Sequence, residues 1–489
     1  MDLPSDAGSS LLWIFLCSAL VWGVCRTVYR LVTNPLSSIP GPQFSKCSSI
    51  VLTYKWWFGR RAPYVDSLHK KYGPIVRVAP NEVHINDLSA TREIHKVGGR
   101  YLKSKWYETL VPPGIVNVFT VSDPNYHSAL RRLLAGPIAD NQVKVFEPLV
   151  TSRVRLAISR IGEELERRGA ADVFKWWLFF ATDVIGELSF GDSFRMLETG
   201  KKNQYILDLE RVSSLQAVRT TFPSLLRFSR YVPLPMFRSA YESGKRIGLY
   251  AHQSVERYKK LLQVEPNYPK TLFTRFYNAG KEGLSDAEIR NGAVGYIVAG
   301  SDTTAITLTY LTWAVCRHPE VQEKLVAELQ SLPEDFTDKH LRELPYLSNV
   351  INETLRLYSS VPSALPRVVP PEGATLAGYY LPPGTTVCTQ AYSLHRDPTI
   401  FPDPERFNPE RWDNPTKEMN YAFMPFGGGS RICLGLHLAR MELRLAVAHF
   451  YRAYPTARIS TKEGMSDEDM KPKMYFLMSP AGHRCLIEA

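Results

Sequence analysis

One of the seven cysteines is set apart by its neighbours. Phe426–Gly435 reads Phe-Gly-Gly-Gly-Ser-Arg-Ile-Cys-Leu-Gly, so Cys433 follows a glycine run and stands two places after Arg431. Glycines let a loop turn tightly and let its backbone approach a flat, bulky ligand. N–H groups freed by such a loop can point at the sulfur, and Arg431 adds a cation; a thiolate in that setting is a ligand rather than a packing residue. A lone thiolate suits the fifth position of a haem iron. Two plainer readings stand beside this one. A buried Cys is more often a small hydrophobe. A glycine-rich loop can also cradle phosphate, but no Gly-Lys-Ser/Thr follows, and that reading fails.

Ala299-Gly-Ser-Asp-Thr-Thr304 sets an acid beside an alcohol. It falls inside a long helical stretch that the capping box Ser285-Asp-Ala-Glu288 opens and His318-Pro319 stops near Arg317. Such a helix spans roughly 45–50 Å, enough to cross a domain. Gly300 makes room beside it, and Thr303 can bond a carbonyl of the previous turn and bend it. Asp302 and Thr303 then offer a proton and a hydroxyl. A glycine-kinked core helix with polar residues on its wet side accounts for the same letters. His127 and Arg131 lie four apart on a helix that Ser122 or Asp123 caps and Pro124 begins, so they share a face. A cation there binds a carboxylate or decorates a solvated surface. Glu353 and Arg356 are three apart and can pair directly. Most such pairs are surface features worth under about 1 kcal/mol.

The pattern Phe426, Gly429, Arg431, Cys433, Gly435 resembles the haem-binding signature of the cytochrome P-450 haem-thiolate monooxygenases. Ala299–Thr304 resembles that family's oxygen-binding helix, and Glu353-Thr-Leu-Arg356 its E-x-x-R motif. The motifs follow the family's order over roughly residues 40–489. The resemblance implies haem b (iron protoporphyrin IX) with Cys433 as the axial ligand of the iron, pushing electron density that favours O–O cleavage. It implies that Phe426 shields the sulfur and that Gly429 and Gly435 clear the porphyrin edge. It gives Arg431, Arg131, His127 and Arg367 to the haem propionates; His127 stands where many members have Trp. Asp302 and Thr303 are implied to guide protons to bound dioxygen. Glu353 and Arg356 are implied to be buried and tied to a later arginine, for which Arg406 in Pro404-Glu-Arg-Phe407 is the expected partner. The implied activity is hydroxylation or other oxidation of an apolar small molecule. Electrons are implied to come from NADPH through a membrane-bound flavoprotein reductase, with a small b-type cytochrome as an additional donor. Tyr72–Asn81 is similar to filamentous-fungal members that serve secondary metabolism. The alternatives are the same fold used for desaturation, coupling or rearrangement, and a haem-binding sensor without turnover.

The elements that must position these residues are read as mainly α with small β-sheets, in one large domain after an N-terminal membrane anchor. Of 489 residues, 44% are hydrophobic, so a sizeable core can form. The formal charge of +11 suits an acidic membrane surface or protein partner. No long Lys/Arg run or zinc spacing occurs, so no nucleic-acid partner is expected. The cysteines are scattered and odd in number, which points to a reducing compartment. Leu11–Cys25 is apolar and followed by Arg26 and Arg30, which reads as a retained signal anchor, with a cleaved signal peptide or a core helix as the rival readings. As an anchor it puts the bulk of the chain in the cytosol, and the resemblance to microsomal members implies a single-pass protein of the endoplasmic reticulum membrane. Residues 1–33 are thus the anchor, 34–42 a proline-rich, extended hinge, and 43–489 the haem-thiolate catalytic domain. Ile75–Ile85 reads as a hairpin, Thr375–Leu381 and Thr386–Thr389 as strands, and Leu434–Arg452 as a helix starting at Cys433. Pro113–Thr120, Leu215–Phe222, Ala299, Val361–Leu365 and Met474–Phe476 are the expected pocket pieces, with Tyr231–Phe237 a candidate lid. Arg132, Arg440 and Arg444 are the expected basic surface for a reductase.

Overall fold

The computed structural model describes residues 5–223, 235–265, 268, 270–282 and 284–489. Four lid positions, 231–234, lie outside the described residues.

A 31-residue helix, Asp286–Cys316, runs through the core. The expected capping box is formed: Ser285 Oγ accepts from the Glu288 N–H, and Glu288 reaches back to the Ser285 N–H at 2.8 Å. That satisfies two orphan donors of the first turn. From Thr304 to Thr312 the helix is buried on every side. It is flanked by Val173–Phe190, also buried along nearly its whole length, and by Leu436–Ala453. A helix buried all round belongs in the centre of a large core, and the hydroxyls of Thr307, Thr309 and Thr312 are satisfied there by carbonyls one turn back. Gly300 serves this contact. A Cβ there would lie 2.5 Å from Ile185 of the Val173–Phe190 helix, so the room it makes is taken by that neighbour.

The main sheet has five strands in the order Ile75–Ala79, Glu82–Ile85, Thr386–Gln390, Ala364–Val368, Leu102–Lys103. Glu82–Ile85 pairs with Thr386–Gln390 in parallel; the other pairs are antiparallel. The stretch expected as one strand over Thr375–Leu381 is a hairpin, Ala374–Leu376 with Tyr379–Leu381. Ala377 and Gly378 both take positive φ, 47° and 82°, which turns the chain back on itself.

At the N-terminus the helix Ser5–Thr33 contains Trp13–Thr33, 21 residues of mean hydropathy 1.4 and unburied, long and apolar enough to cross a membrane. The segment after it is not the extended connector its prolines suggest. Arg77, buried in the first strand, donates to the carbonyls of Leu36 (2.8 Å), Ile39 (2.7 Å) and Pro42 (3.3 Å). Leu36 and Ile39 are buried against the sheet, and Asn34 bonds Lys46 and Pro80.

Candidate functional site

The cysteine loop is closed by its own backbone. Cys433 N–H donates to the Phe426 carbonyl at 3.0 Å and Ile432 N–H to Gly429 at 3.2 Å. Gly427 and Gly429 take φ of 71° and 64°. At Gly429 a Cβ would lie 1.9 Å from the His95 carbonyl oxygen, so neither the conformation nor the space admits a side chain. The following helix is Leu436–Ala453 with Gly435 as its N-cap, later than the expected start at Cys433. The Cys433 side chain is accessible although protein surrounds it, as for a group on the wall of an internal cavity. Burial pushes its pKa up; the Gly435 N–H and the Arg131 guanidinium oppose that by favouring the thiolate.

Two cations grip the loop itself. Arg131 Nη1 donates to the Ile432 carbonyl at 2.8 Å, from a helix, Pro124–Ala135, that Asp123 caps by accepting from Tyr126 N–H at 2.6 Å. Arg431 Nη1 and Nη2 donate to the carbonyls of Val121 and Ser122 at 2.9 and 3.3 Å. Arg367, on the buried strand Ala364–Val368, donates to the Tyr107 hydroxyl at 3.3 Å. Directly across the ladder from Arg367 stands Lys103, which the motif reading missed. Its ammonium donates to the Phe119 carbonyl and lies 3.8 and 4.4 Å from the ring centres of Tyr107 and Phe119. Like charges opposed on neighbouring strands repel.

These groups disturb one another. Burial, then Arg431, Arg131, Lys103 and Arg367 together hold the His127 imidazole at about 3, hence neutral. Burial, then Arg367 and Arg131, lowers Arg431 to about 10. Burial, then Arg367 and Arg431, drives Lys103 well down. Among the described residues no carboxylate pairs with Lys103, Arg131, Arg367 or Arg431 within salt-bridge distance. Uncompensated buried cations are costly. A cysteine loop built to let a flat group approach, beside four cations lacking an anion, is a donor set that fits a planar dianion carrying a thiolate-seeking metal. Iron protoporphyrin with its two propionates has that chemistry.

The long helix adds another accessible surface. Ala299 is exposed and Thr303 partly exposed; they lie four apart, and Thr303 Oγ1 donates to the Ala299 carbonyl at 2.9 Å. Asp302 faces other neighbours, a small cavity it shares with Glu210 and His483. Thr304 Oγ1 donates to Glu442 Oε2 at 2.8 Å, joining this helix to the one that follows Cys433. Burial holds Glu442 up at about 8, so it is neutral at pH 7. No spacing rule links Thr304 to Glu442, which is why the sequence did not show the pair. An aromatic cluster encloses several expected pocket pieces. Phe476 lies 5.3 Å from Phe119 and 6.1 Å from Tyr107, ring centre to centre, and Ala217, Val361 and Leu365 belong to the same apolar group.

The Glu353–Arg356 pair is fully buried, with Arg356 Nε and Nη2 donating to the carboxylate at 2.9 and 2.8 Å. The later arginine is Arg411, not Arg406. Arg411 Nε donates to Glu353 Oε1 at 3.0 Å, and Trp412 Nε1 to Oε2 at 3.0 Å. Arg406 supplies its backbone carbonyl to Arg356 at 3.1 Å, while its side chain is exposed. The chain turns just before it, where Asp403 takes a φ of 48° and its carbonyl accepts from the Arg406 N–H at 3.0 Å. The expected basic surface is also smaller than its sequence suggests. Arg444 is buried and paired with Asp338 at 2.7 and 2.9 Å, and Arg440 bonds Asn352 and lies over Phe426. Of those three only Arg132 is exposed.

Comparison with known proteins agrees with this chemistry. The family model for cytochrome P-450 matches residues 42–486. The chain is 53% identical over 469 residues to cytochrome P-450 monooxygenase tazI of Aspergillus terreus, covering 95% of this chain and 96% of that one. It is 51% identical over 472 residues to the monooxygenase orf2 of Aspergillus niger, covering 96% of each. It is 36% identical over 463 residues to the monooxygenase stcB of Emericella nidulans, covering 93% and 88%.

Proposed function

From the premise that the chain belongs to the cytochrome P-450 family, a family of oxygen-incorporating oxidoreductases with a haem iron, we propose that it is a membrane-anchored monooxygenase of fungal secondary metabolism acting on an apolar small molecule. Haem, when bound, supplies the activation of dioxygen and the oxidation of a substrate C–H bond. The residues of this chain do the rest. Cys433 Sγ holds the iron, and the Gly435 N–H and Arg131 keep the sulfur anionic against the desolvation that raises its pKa. Lys103, Arg131, Arg367 and Arg431 hold the propionates, and His127, neutral, adds a hydrogen bond. Phe426, Gly429 and Gly435 shape the loop around the sulfur. Thr303 Oγ1, whose own hydrogen is committed to Ala299, offers its lone pairs to a proton-bearing group beside it. Asp302 stores a proton: burial, then Glu210, holds it at about 8, so it is protonated at pH 7. The aromatic cluster around Phe119, Tyr107 and Phe476 excludes water and holds the substrate's apolar body. Glu353, Arg356 and Arg411 fix the segment that leads into the cysteine loop.

Electrons come from NADPH through a flavoprotein reductase, with a small b-type cytochrome as a second donor. Trp13–Thr33 anchors the chain in the endoplasmic reticulum membrane with its catalytic part in the cytosol.

The observation that carries this reading is the cluster of four basic side chains near Cys433, Lys103, Arg131, Arg367 and Arg431, which pair with no carboxylate among the described residues. Its test is turnover with a co-expressed reductase. Wild-type protein should consume NADPH and release an oxygenated product, and Thr303→Ala should lower product per NADPH several-fold. An unchanged ratio would remove Thr303 from the mechanism, and no oxygenated product under any substrate mixture would remove the monooxygenase reading.

A further inference from the structure

We propose that Asp302 takes its proton from a chamber for a single water molecule on another face of the long helix from Thr303, and that Glu210 and His483 pass protons into it. This rests on the reading of Asp302 as a proton store.

The chamber has a volume of about 20 Å³. A cavity needs roughly 10–15 Å³ to hold a water, so it admits one. Its polar lining is Asp302, Glu210, Ser479 and His483, set among apolar walls such as Phe174 and Met478. Asp302 is 8% exposed and has no hydrogen-bond partner among the described residues. His483 Nδ1 is likewise buried without one. A buried polar atom left unpaired costs free energy, and a single water between these groups satisfies both. The histidine is held in place: its backbone takes φ of 49°, and its ring meets Phe174 edge-on at 6.1 Å.

Glu210 sits at the outer rim, on the helix Gln204–Thr221, with Oε1 accepting from Lys202 Nζ at 2.6 Å. Titratable groups close to this lining are Tyr205, which interacts electrostatically with Asp302 and has its hydroxyl beside Ser301, and Lys202 and Lys473, whose charges act on His483. Burial, then Glu210, raises the Asp302 pKa to about 8. Once Asp302 has given its proton inward, it is a second carboxylate beside Glu210 in a poorly solvated space. That repulsion favours prompt reprotonation. Burial lowers the His483 pKa, so a proton reaching that ring is passed on rather than kept. The balance is simple: one proton leaves the Asp302 carboxyl, and one enters from bulk water by way of the rim.

The experiment is an infrared titration of the carboxylic-acid band in the haem-loaded protein, the Asp302 band being assigned by its loss in Asp302→Asn. Product per NADPH is measured on the same samples. In wild type the band should titrate near pH 8, and product per NADPH should fall as pH rises through that value. Glu210→Gln removes the like charge and should move the midpoint down by at least tenfold in proton concentration. His483→Asn should leave the band largely in place but lower product per NADPH at least threefold at pH 7. Haem content shows that each variant is folded, and either variant alone is decisive. If Asp302→Asn uncouples turnover while Glu210→Gln leaves the midpoint alone or His483→Asn leaves coupling alone, the chamber is not the source of the proton. If Asp302→Asn keeps the wild-type ratio, the reading of Asp302 itself fails.

Discussion

At the residue scale, the chemistry of Cys433 depends on positions that hold no functional group. Gly429 abuts the His95 carbonyl so closely that a methyl group would overlap it, and its positive φ already disfavours any other residue. Gly429→Ala should therefore lower haem content at least tenfold while far-ultraviolet circular dichroism keeps its helical signature. Equal haem loading would show that the loop is not held as tightly as the geometry requires. The buried carboxylate of Glu353 makes a second case. Arg356, Arg411 and Trp412 all donate to it, and removing one partner of a buried pair typically costs about 3–5 kcal/mol. Arg411→Ala should lower the thermal midpoint markedly, whereas Arg406→Ala should leave it unchanged. The reverse ranking would restore the partner expected from the sequence. The sequence named the right pair and the wrong third member for a physical reason. Two arginines five apart in a proline-broken segment look alike locally, and which of them reaches Glu353 depends on the path of the folded chain, which includes a positive φ at Asp403 that no local pattern announces. Lys103 was hidden likewise, because its meaning comes from the strand register that sets it opposite Arg367.

At the element scale, the long helix was legible from its ends and less so from its sides. The capping box and the His-Pro stop fixed its span, because both are local chemistry. Its neighbours are not local. Gly300 accommodates Ile185, and Thr304 reaches Glu442 on a helix more than a hundred residues away in sequence. That bond has a pH signature. Glu442 binds its proton more tightly when folded, at about 8, than an ordinary carboxylate does. Between about pH 4 and 8 the folded state holds more protons than the unfolded chain, so stability falls as pH rises through that window. Glu442→Gln keeps an acceptor for Thr304 and cannot ionise. Its thermal midpoint should decline less than that of the wild type between pH 6 and pH 8.5. Parallel declines would mean that Glu442 already titrates as an exposed carboxylate.

At the scale of the whole molecule, the segment between the N-terminal apolar helix and the core is secured rather than loose. The buried Arg77 guanidinium gathers the carbonyls of Leu36, Ile39 and Pro42, so this segment is held by the same sheet that carries Arg367 and Lys103. The prolines were readable as a helix stop; the docking was not, because one arginine in a strand decides it. Removing residues 1–33 should release the protein from membranes and leave haem binding intact, as read by sedimentation and by absorbance; continued sedimentation with membranes would assign attachment elsewhere. All of these features serve one claim, that Cys433 holds the iron of a haem through its thiolate. The most direct test is the carbon-monoxide difference spectrum of the reduced protein. Wild-type protein should show the red-shifted band of a thiolate-ligated haem, and Cys433→Ala should lose it even where some haem is retained. Absence of the band in haem-loaded wild type, or its persistence in Cys433→Ala, would contradict the claim.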